Sequence, residues 1–524
     1  MSEEEKKDHW IVYPIGSKPK WGVAVLLGIQ QYLTMFGATV LIPFIVGGAI
    51  GMPQEALALL ISTIFFTSGL CTLIQQSPLG NKLPVIQGGT FSFLGPTFAI
   101  IGMVAAQGAS GDTPLWQLQI QNIAGAIMIA SVVEIVLGYT GIMGQVRKII
   151  SPIVIGPTIA MIGLALFGIG APWMATNWII SLITLIALIL YSQVFSQKSK
   201  VFMLFPVLLA IATGWLASLI GTVTGLIPDG NAANLAGKLD LVGAAAWVSF
   251  KPMVPFKWGF PDLGSSVLWA GVFGMLAGYL ASMIESIGDY MACARISEAP
   301  VPTGGMISKG LGAEGLGCLI AGILQTGNGT TTYSENIGSI GLTKVASRRV
   351  VRCGAAVMLV IPVIGKFGAI LATLPMPVVG AMFVGLFGMI ASVGLSNLQI
   401  VNLNNSRNLF IIGLSFFCGS QCAVLVYPPL RRRHRPNRQR RHRLGNPGQR
   451  DQCYRQYFSG DPEHRNGGNR DRRYYPRQPA AGRHPGRARP GSLGTGCFRR
   501  SLGGSRSTMG GHGRRRDASG LTRI

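Results

Sequence analysis

Several side chains able to do chemistry stand where a membrane-crossing helix would place hydrocarbon. Residues Gln325 to Arg349, QTGNGTTTYSENIGSIGLTKVASRR, carry Asn328, Glu335, Asn336 and a run of threonines among four glycines. A carboxylate at mid-membrane costs roughly 2.5 to 3.5 kcal/mol on insertion scales, and unpaired backbone groups in lipid add to that. The stretch must face protein or a cavity, as the broken, glycine-interrupted spans of secondary transporters do around a mid-membrane substrate. A re-entrant packing segment without a ligand is the competing account. Glu285 and Asp289, in LASMIESIGDYMA, are four residues apart, share one helix face and point into the same cavity. Two poorly solvated like charges repel, which favours holding a proton there. Glu134, alone in a further apolar run, reads as a carboxylate paired to a neighbouring helix rather than a substrate group.

The elements that must position these residues come in two halves. Leu83 to Pro96, LPVIQGGTFSFLGP, is a second hydrophobic span interrupted at Gly88, Gly89 and Thr90. Phe36 to Thr90 is 54 residues and Glu285 to Glu335 is 50, so each interruption lies a similar distance after a marked helix. Paired interruptions of this kind point to an inverted repeat with the site between its halves.

The composition fits that architecture. Of 524 residues, 49% are hydrophobic and 12% charged, with a mean hydropathy of +0.42; a soluble domain has about 25% charged residues. The chain therefore reads as an all-α polytopic membrane protein and not an enzyme. Runs long enough to cross a bilayer fall near 22–47, 55–76, 84–106, 117–140, 150–170, 177–195, 201–222, 264–290, 307–326, 330–346, 350–373 and 375–396, with an incomplete one from 407. With the N-terminus inside, 16 of the 20 Lys and Arg before residue 421 fall on the inner side; Lys366 and three in the long loop 223–263 (Lys238, Lys251, Lys257) do not. Eight cysteines form no CxxC pair, and neither a metal site nor a cofactor is expected. The N-terminus has no cleaved-signal pattern.

The formal charge of +25 belongs to the tail. Residues 1–420 hold 20 Lys and Arg against 15 Asp and Glu; residues 421–524 hold 25 against 5, with no lysine and one isoleucine. A disordered basic tail is one account. A shifted reading frame explains more, because the change begins inside a hydrophobic run at SFFCGSQC and replaces it with Arg, Pro and Gly. No nucleic-acid partner is read from it.

Glu335-Asn336-Ile337-Gly338, four further residues, then Thr343-Lys344 match the signature of the nucleobase-ascorbate transporter family, the nucleobase:cation symporters that include xanthine and uracil permeases. Together with QQYLTMFGATVLIP, NKLPVIQGGTFSFLGP, SPIVIGPTIAMIGLALF, ESIGDY and ASRRV, the chain resembles that family over about residues 21–418. The resemblance implies a 7+7 inverted-repeat transporter fold. A core domain (spans 1 to 4 and 8 to 11) faces a gate domain (5 to 7 and 12 to 14), with short strands in spans 3 and 10 and the final one or two spans lost here. The parts become a cytoplasmic segment 1–20, a first repeat 21–222, an extracytoplasmic loop 223–263, a truncated second repeat 264–420 and the tail 421–524. By the same resemblance, Glu285 and Glu335 accept N–H bonds from a nucleobase, and backbone groups at Phe91, Tyr333 and Ser334 address its carbonyl edges. Proton coupling and support of the site fall to Asp289, Asn336, Gln31 and Thr343. The family usually has Gln-His where this chain has Gln30-Gln31, so an imidazole is missing there. The expected function is proton-coupled uptake of uracil or xanthine across the cytoplasmic membrane, with membrane lipid around it and a homodimer through the gate. The alternative is a transport-incompetent product that still binds nucleobase.

Overall fold

The computed structural model describes residues 11–108, 113–143 and 152–426. The readings made for residues 1–10 and for the tail from 427 onward lie outside the described residues. Nine helices among the described residues are long and apolar enough to cross a membrane. Four of the thirteen runs expected from sequence are not among them: 84–106, 330–346 and 350–373 are broken, and the last is a helix Ser406–Val426 that continues past the change in composition at Gln421.

The first repeat opens with α1 (Trp21–Ile50) and α2 (Gln54–Gln75), an antiparallel pair. Gly51 ends α1 in the left-handed conformation at φ 66°, Met52 N–H bonds Gly47 O at 2.9 Å, and Pro53 starts the next helix. The third span is a short strand β1 (Gln87–Gly89), a tight turn at Phe91–Phe93 and a half-helix α3 (Leu94–Gln107). Then come α4 (Leu115–Tyr139), α5 (Pro152–Ala165), α6 (Phe167–Met174), α7 (Trp178–Ile189) and α8 (Pro206–Val223). After a loop carrying the short α9 (Lys238–Ala244), the order recurs: α10 (Ser266–Ile296), α11 (Gly304–Ile323), strand β2 (Thr330–Thr332) with half-helix α12 (Ser334–Thr343), then α13 (Arg348–Val360) and α14 (Gly365–Ala372), α15 (Met376–Asn397) and α16 (Ser406–Val426).

The two repeats are interlocked. α1 and α2 pack on α13 of the second repeat, while α10 and α11 pack on α4 of the first, so each half clasps the fourth span of the other. The α4–α11 contact is close because small residues bring the backbones together: a Cβ on Gly138 would stand 2.3 Å from Gly312 N. α15 packs against α5, α6 and α7, α7 against α8, and α16 against α5, forming the gate. β1 and β2 pair antiparallel at the middle of the core, with Gln87 opposite Thr332 and Gly89 opposite Thr330.

Two connections tie down the ends of the core. Val12 and Tyr13 N–H groups bond Lys344 O at 2.9 and 3.1 Å, just beyond α12. At the other end the long loop is latched to the end of α11: Trp258 N donates to Gln325 Oε1 at 2.8 Å, Gln325 Nε2 donates to Gly259 O at 2.7 Å, and Lys257 Nζ donates to Leu324 O. Lys257, one of the loop lysines that charge bias leaves outside, thus meets the carbonyl end of a helix, where a cation is favoured. Burial lowers its pKa from 10.5 to about 7. Between those values the folded chain binds fewer protons than the unfolded chain, so the contribution is present above pH 10.5 and is lost as pH falls toward about 7. Lys257→Met should flatten that slope, read as the thermal unfolding midpoint of purified protein against pH. Equal slopes in variant and wild type would show that Lys257 does not titrate there.

Candidate substrate-binding site

The two broken spans and the gate enclose a cavity of about 260 Å³. Its polar wall is made by Gly89, Thr90 and Phe91 at the end of β1, by Glu285 on α10, and by Thr331 to Glu335 across the end of β2 and the start of α12. Its opposite wall is apolar: Ile159 and Ile162 of α5, and Leu386, Met389, Ile390 and Val393 of α15.

The break in each span exposes what a continuous helix would hide. α12 begins at Ser334, so its first-turn N–H groups have no partner within the helix, and its positive end stands beside the Glu335 carboxylate. Thr90 caps the facing turn by accepting from Ser92 N at 3.1 Å. The strands are held in register from the sides: Thr90 N donates to Asn328 Oδ1 at 3.0 Å, Gln87 Nε2 donates to Thr332 Oγ1 at 2.9 Å, and Tyr333 N donates to Ile86 O at 2.9 Å. Gly88 is required where the strands cross, because a Cβ there would lie 1.9 Å from the Tyr333 ring.

Five of the expected residues meet in this cavity: Phe91, Glu285, Tyr333, Ser334 and Glu335 all line it. Both carboxylates are half-buried and reachable from it. Ser92 Oγ donates to Glu285 at 3.1 Å, which fixes one carboxylate oxygen. Tyr333 is turned inward, its hydroxyl accepting from Thr39 Oγ1 at 3.0 Å and its N–H spent on Ile86 O, so neither is free for the carbonyl edge of a ligand that the resemblance assigns to it. Phe91 meets Phe387 of α15 edge-to-face at 5.4 Å, a direct core-to-gate contact.

The supporting residues stand elsewhere than one shared cavity would place them. Asp289 does not line the cavity beside Glu285; it lies a turn away, fully enclosed, and accepts from Ser334 Oγ at 2.7 Å. Asn336 Nδ2 donates to Gln31 O and Oε1, both at 2.8 Å, and Ser339 Oγ adds a bond to Gln31 Oε1 at 3.2 Å, bracing α1 to α12 behind the site. Thr343 bonds Ser339 O at 2.8 Å within its own helix and reaches neither the cavity nor that brace.

Two groups of residues were not singled out from sequence. The apolar gate wall gives no signal, since Ile, Leu, Met and Val in an apolar span are what any span contains. Glu314 had one: an acid in the middle of GGMISKGLGAEGLGCLIAGI is as anomalous as Glu134. It is buried behind β2 and accepts from Ser282, Ser286 and Tyr290 at 2.8, 2.6 and 3.2 Å. Glu134 meets this second acid instead of a basic partner.

The permease family model Xan_ur_permease matches residues 22–426. Human solute carrier family 23 member 2 is 42% identical over 446 residues, covering 78% of this chain and 68% of that protein. Nucleobase-ascorbate transporter 1 of Arabidopsis thaliana is 35% identical over 418 residues, covering 78% and 79%. Among solved structures, the transmembrane domain of the cyanobacterial bicarbonate transporter BicA superposes with a TM-score of 0.54 over 76% of this chain and 97% of that one, at 15% identity, a likeness of fold alone. The match across nearly all of the described spans, the complete motif in α12 and the paired broken spans together make this chain a member of the xanthine/uracil permease family, the nucleobase-ascorbate transporters.

Proposed function

We propose that this chain takes up an uncharged nucleobase, uracil or xanthine, across the cytoplasmic membrane together with a proton. The observation that supports this best is the placing of two carboxylates, Glu285 and Glu335, on one small cavity beside helix-start N–H groups. A planar ring with adjacent N–H donors and carbonyl acceptors matches both sets, and charged acceptors strengthen such bonds roughly twofold. An anionic ligand such as ascorbate would meet repulsion from Glu335. Plant relatives bear both nucleobase and ascorbate in their names, and this carboxylate favours the former. The N-terminus lies inside, by the distribution of Lys and Arg.

Transport follows from the contrast between the walls. The core carries its polar contacts internally, through the strand pair and the Asn336–Gln31 brace, whereas the gate offers aliphatic side chains. Apolar surfaces slide past each other without breaking hydrogen bonds, so the core can move as one body against the gate and carry the site from side to side. A neutral nucleobase moving with one proton transfers one charge, worth about 2.3 kcal/mol per 100 mV, or roughly fiftyfold accumulation. Asp289, joined to Ser334, and Glu285, joined to Ser92, are the groups through which substrate and proton occupancy would communicate. The gate is the surface through which two copies would pair.

A second reading has its own observation. Composition changes after Gln421, and the family match ends at residue 426; if the gate lacks its last span, the core could bind nucleobase without transporting it. Uptake of labelled uracil and xanthine by this chain, against a version with the frame restored beyond Gln421, separates the two: uptake only by the restored chain supports the second.

Glu335→Ala should weaken nucleobase binding ten- to a hundredfold, from the loss of about 1.5 to 3 kcal/mol in a charged hydrogen bond, while membrane insertion is retained. Equilibrium binding to purified protein is the measurement; an unchanged Kd removes Glu335 from the site. Asp289→Asn should abolish the pH dependence of concentrative uptake before it abolishes binding. If Asp289→Asn and Glu285→Gln both preserve proton-driven accumulation in vesicles, coupling lies elsewhere.

A further inference from the structure

Behind the strand crossing, away from the cavity, lie Glu134 on α4 and Glu314 on α11, both fully buried. They sit where the two helices run close together: a Cβ on Gly315 would stand 2.8 Å from Ile135 N and 3.2 Å from the Glu134 carbonyl carbon. The two acids are unlike in their surroundings. Glu314 accepts three hydroxyl hydrogen bonds, from Ser282, Ser286 and Tyr290, the company an ionised carboxylate needs. Both oxygens of Glu134 are enclosed, no hydroxyl or amide among the described residues bonds them, and what faces them is the weak thiol donor of Cys318. Cys318, whose thiol faces Glu134, spends its hydrogen bond on Thr330 O at 3.3 Å.

The titratable groups facing the pair are Cys71 on α2, Tyr279 and Tyr290 on α10 and Cys318 on α11, with Glu285 and Asp289 further along α10. None of them is a cation. Two enclosed negative charges without a counter-ion cost several kcal/mol each, far beyond what packing around them recovers. We infer that Glu134 and Glu314 form a second proton site, in which Glu134 carries the proton beside an ionised Glu314. No bond other than O–H is made or broken, and the pair keeps one negative charge. The site stands apart from substrate, yet Ser286 Oγ lies 2.6 Å from Glu314 and 3.0 Å from Thr331 Oγ1, and Thr331 lines the cavity. One hydroxyl therefore separates Glu314 from the strand that shapes the binding site. The inference does not depend on the nucleobase reading.

The test uses the full-length protein, purified in detergent without nucleobase. Infrared difference spectra between neutral and alkaline buffer should show protonated-carboxyl C=O intensity lost on alkalinisation, and Glu134→Gln should remove a distinct part of it, leaving what Glu285 and Asp289 contribute, while keeping the thermal midpoint at neutral pH. Relative to Glu134→Gln, which cannot ionise, the wild type should lose stability as pH rises and the proton leaves, a difference that the Lys257 titration common to both leaves unchanged. Glu314→Gln should lower the midpoint at all pH values, because three hydroxyls lose their charged acceptor. A wild type without any such band overturns the inference whether or not the variants fold, as does an undiminished band in Glu134→Gln. Stabilisation by sodium over choline at constant pH, lost in Glu134→Gln, would also overturn it, since the pair would then hold a metal cation instead. Nucleobase affinity, measured separately on the same samples, tests only the transporter reading.

Discussion

In hydrocarbon every backbone N–H and C=O must be paired, and a span that stops halfway leaves a set of them open. The two broken spans of this protein answer that constraint with each other. β1 and β2 pair antiparallel, Gln87 to Thr332 through Gly89 to Thr330, and threonine and asparagine side chains take the groups the three-residue strands cannot reach. Because the pairing joins the two repeats, the half-helices α3 and α12 are brought to start beside one cavity. Apart from Glu285 on α10, the polar wall of the site follows from where those two helices begin.

The surrounding core is built to keep that geometry fixed. α1 is joined to α12 by Gln31 and Asn336, α10 to both broken spans by Glu285 with Ser92 and Asp289 with Ser334, and the N-terminal residues are bonded to the chain just after α12. The gate side of the cavity contributes no polar side chain among its lining residues. This difference in chemistry is what a moving interface requires at the cavity: there the hydrogen bonds stay within the body that moves, and dispersion contacts, each of only ~0.1 to 0.2 kcal/mol, are exchanged between bodies.

Glycine sets how close the elements lie. At Gly88 it admits the Tyr333 ring across the strand pair, and at Gly138 it lets α4 approach the backbone of α11. The same closeness encloses Glu134 and Glu314 in a region without a cation among the groups facing them, so the packing that stabilises the repeat interface also confines a charge problem that a single proton solves.

The sequence by itself determined the class, the family, the halves and their interruptions, and singled out Glu285 and Glu335; Phe91, Tyr333 and Ser334 came only with the family resemblance. Those features are local in the chain: hydropathy over a span's length, glycine and polar residues inside such a span, and a motif within Glu335 to Lys344 are all legible one window at a time. Some of what was read locally needed revision in space. Helical spacing puts Glu285 and Asp289 on one face, but the turn at Ser334 takes up Asp289 and leaves only Glu285 on the cavity; Thr343, inside the motif, spends its hydroxyl on its own helix. Tertiary structure alone decided which aliphatic residues of α5 and α15 form the far wall, since one Ile in an apolar span is indistinguishable from another until two helices meet. It alone decided that Glu134 faces a second acid, because that pairing joins residues 180 positions apart and depends on the backbone approach their glycines allow.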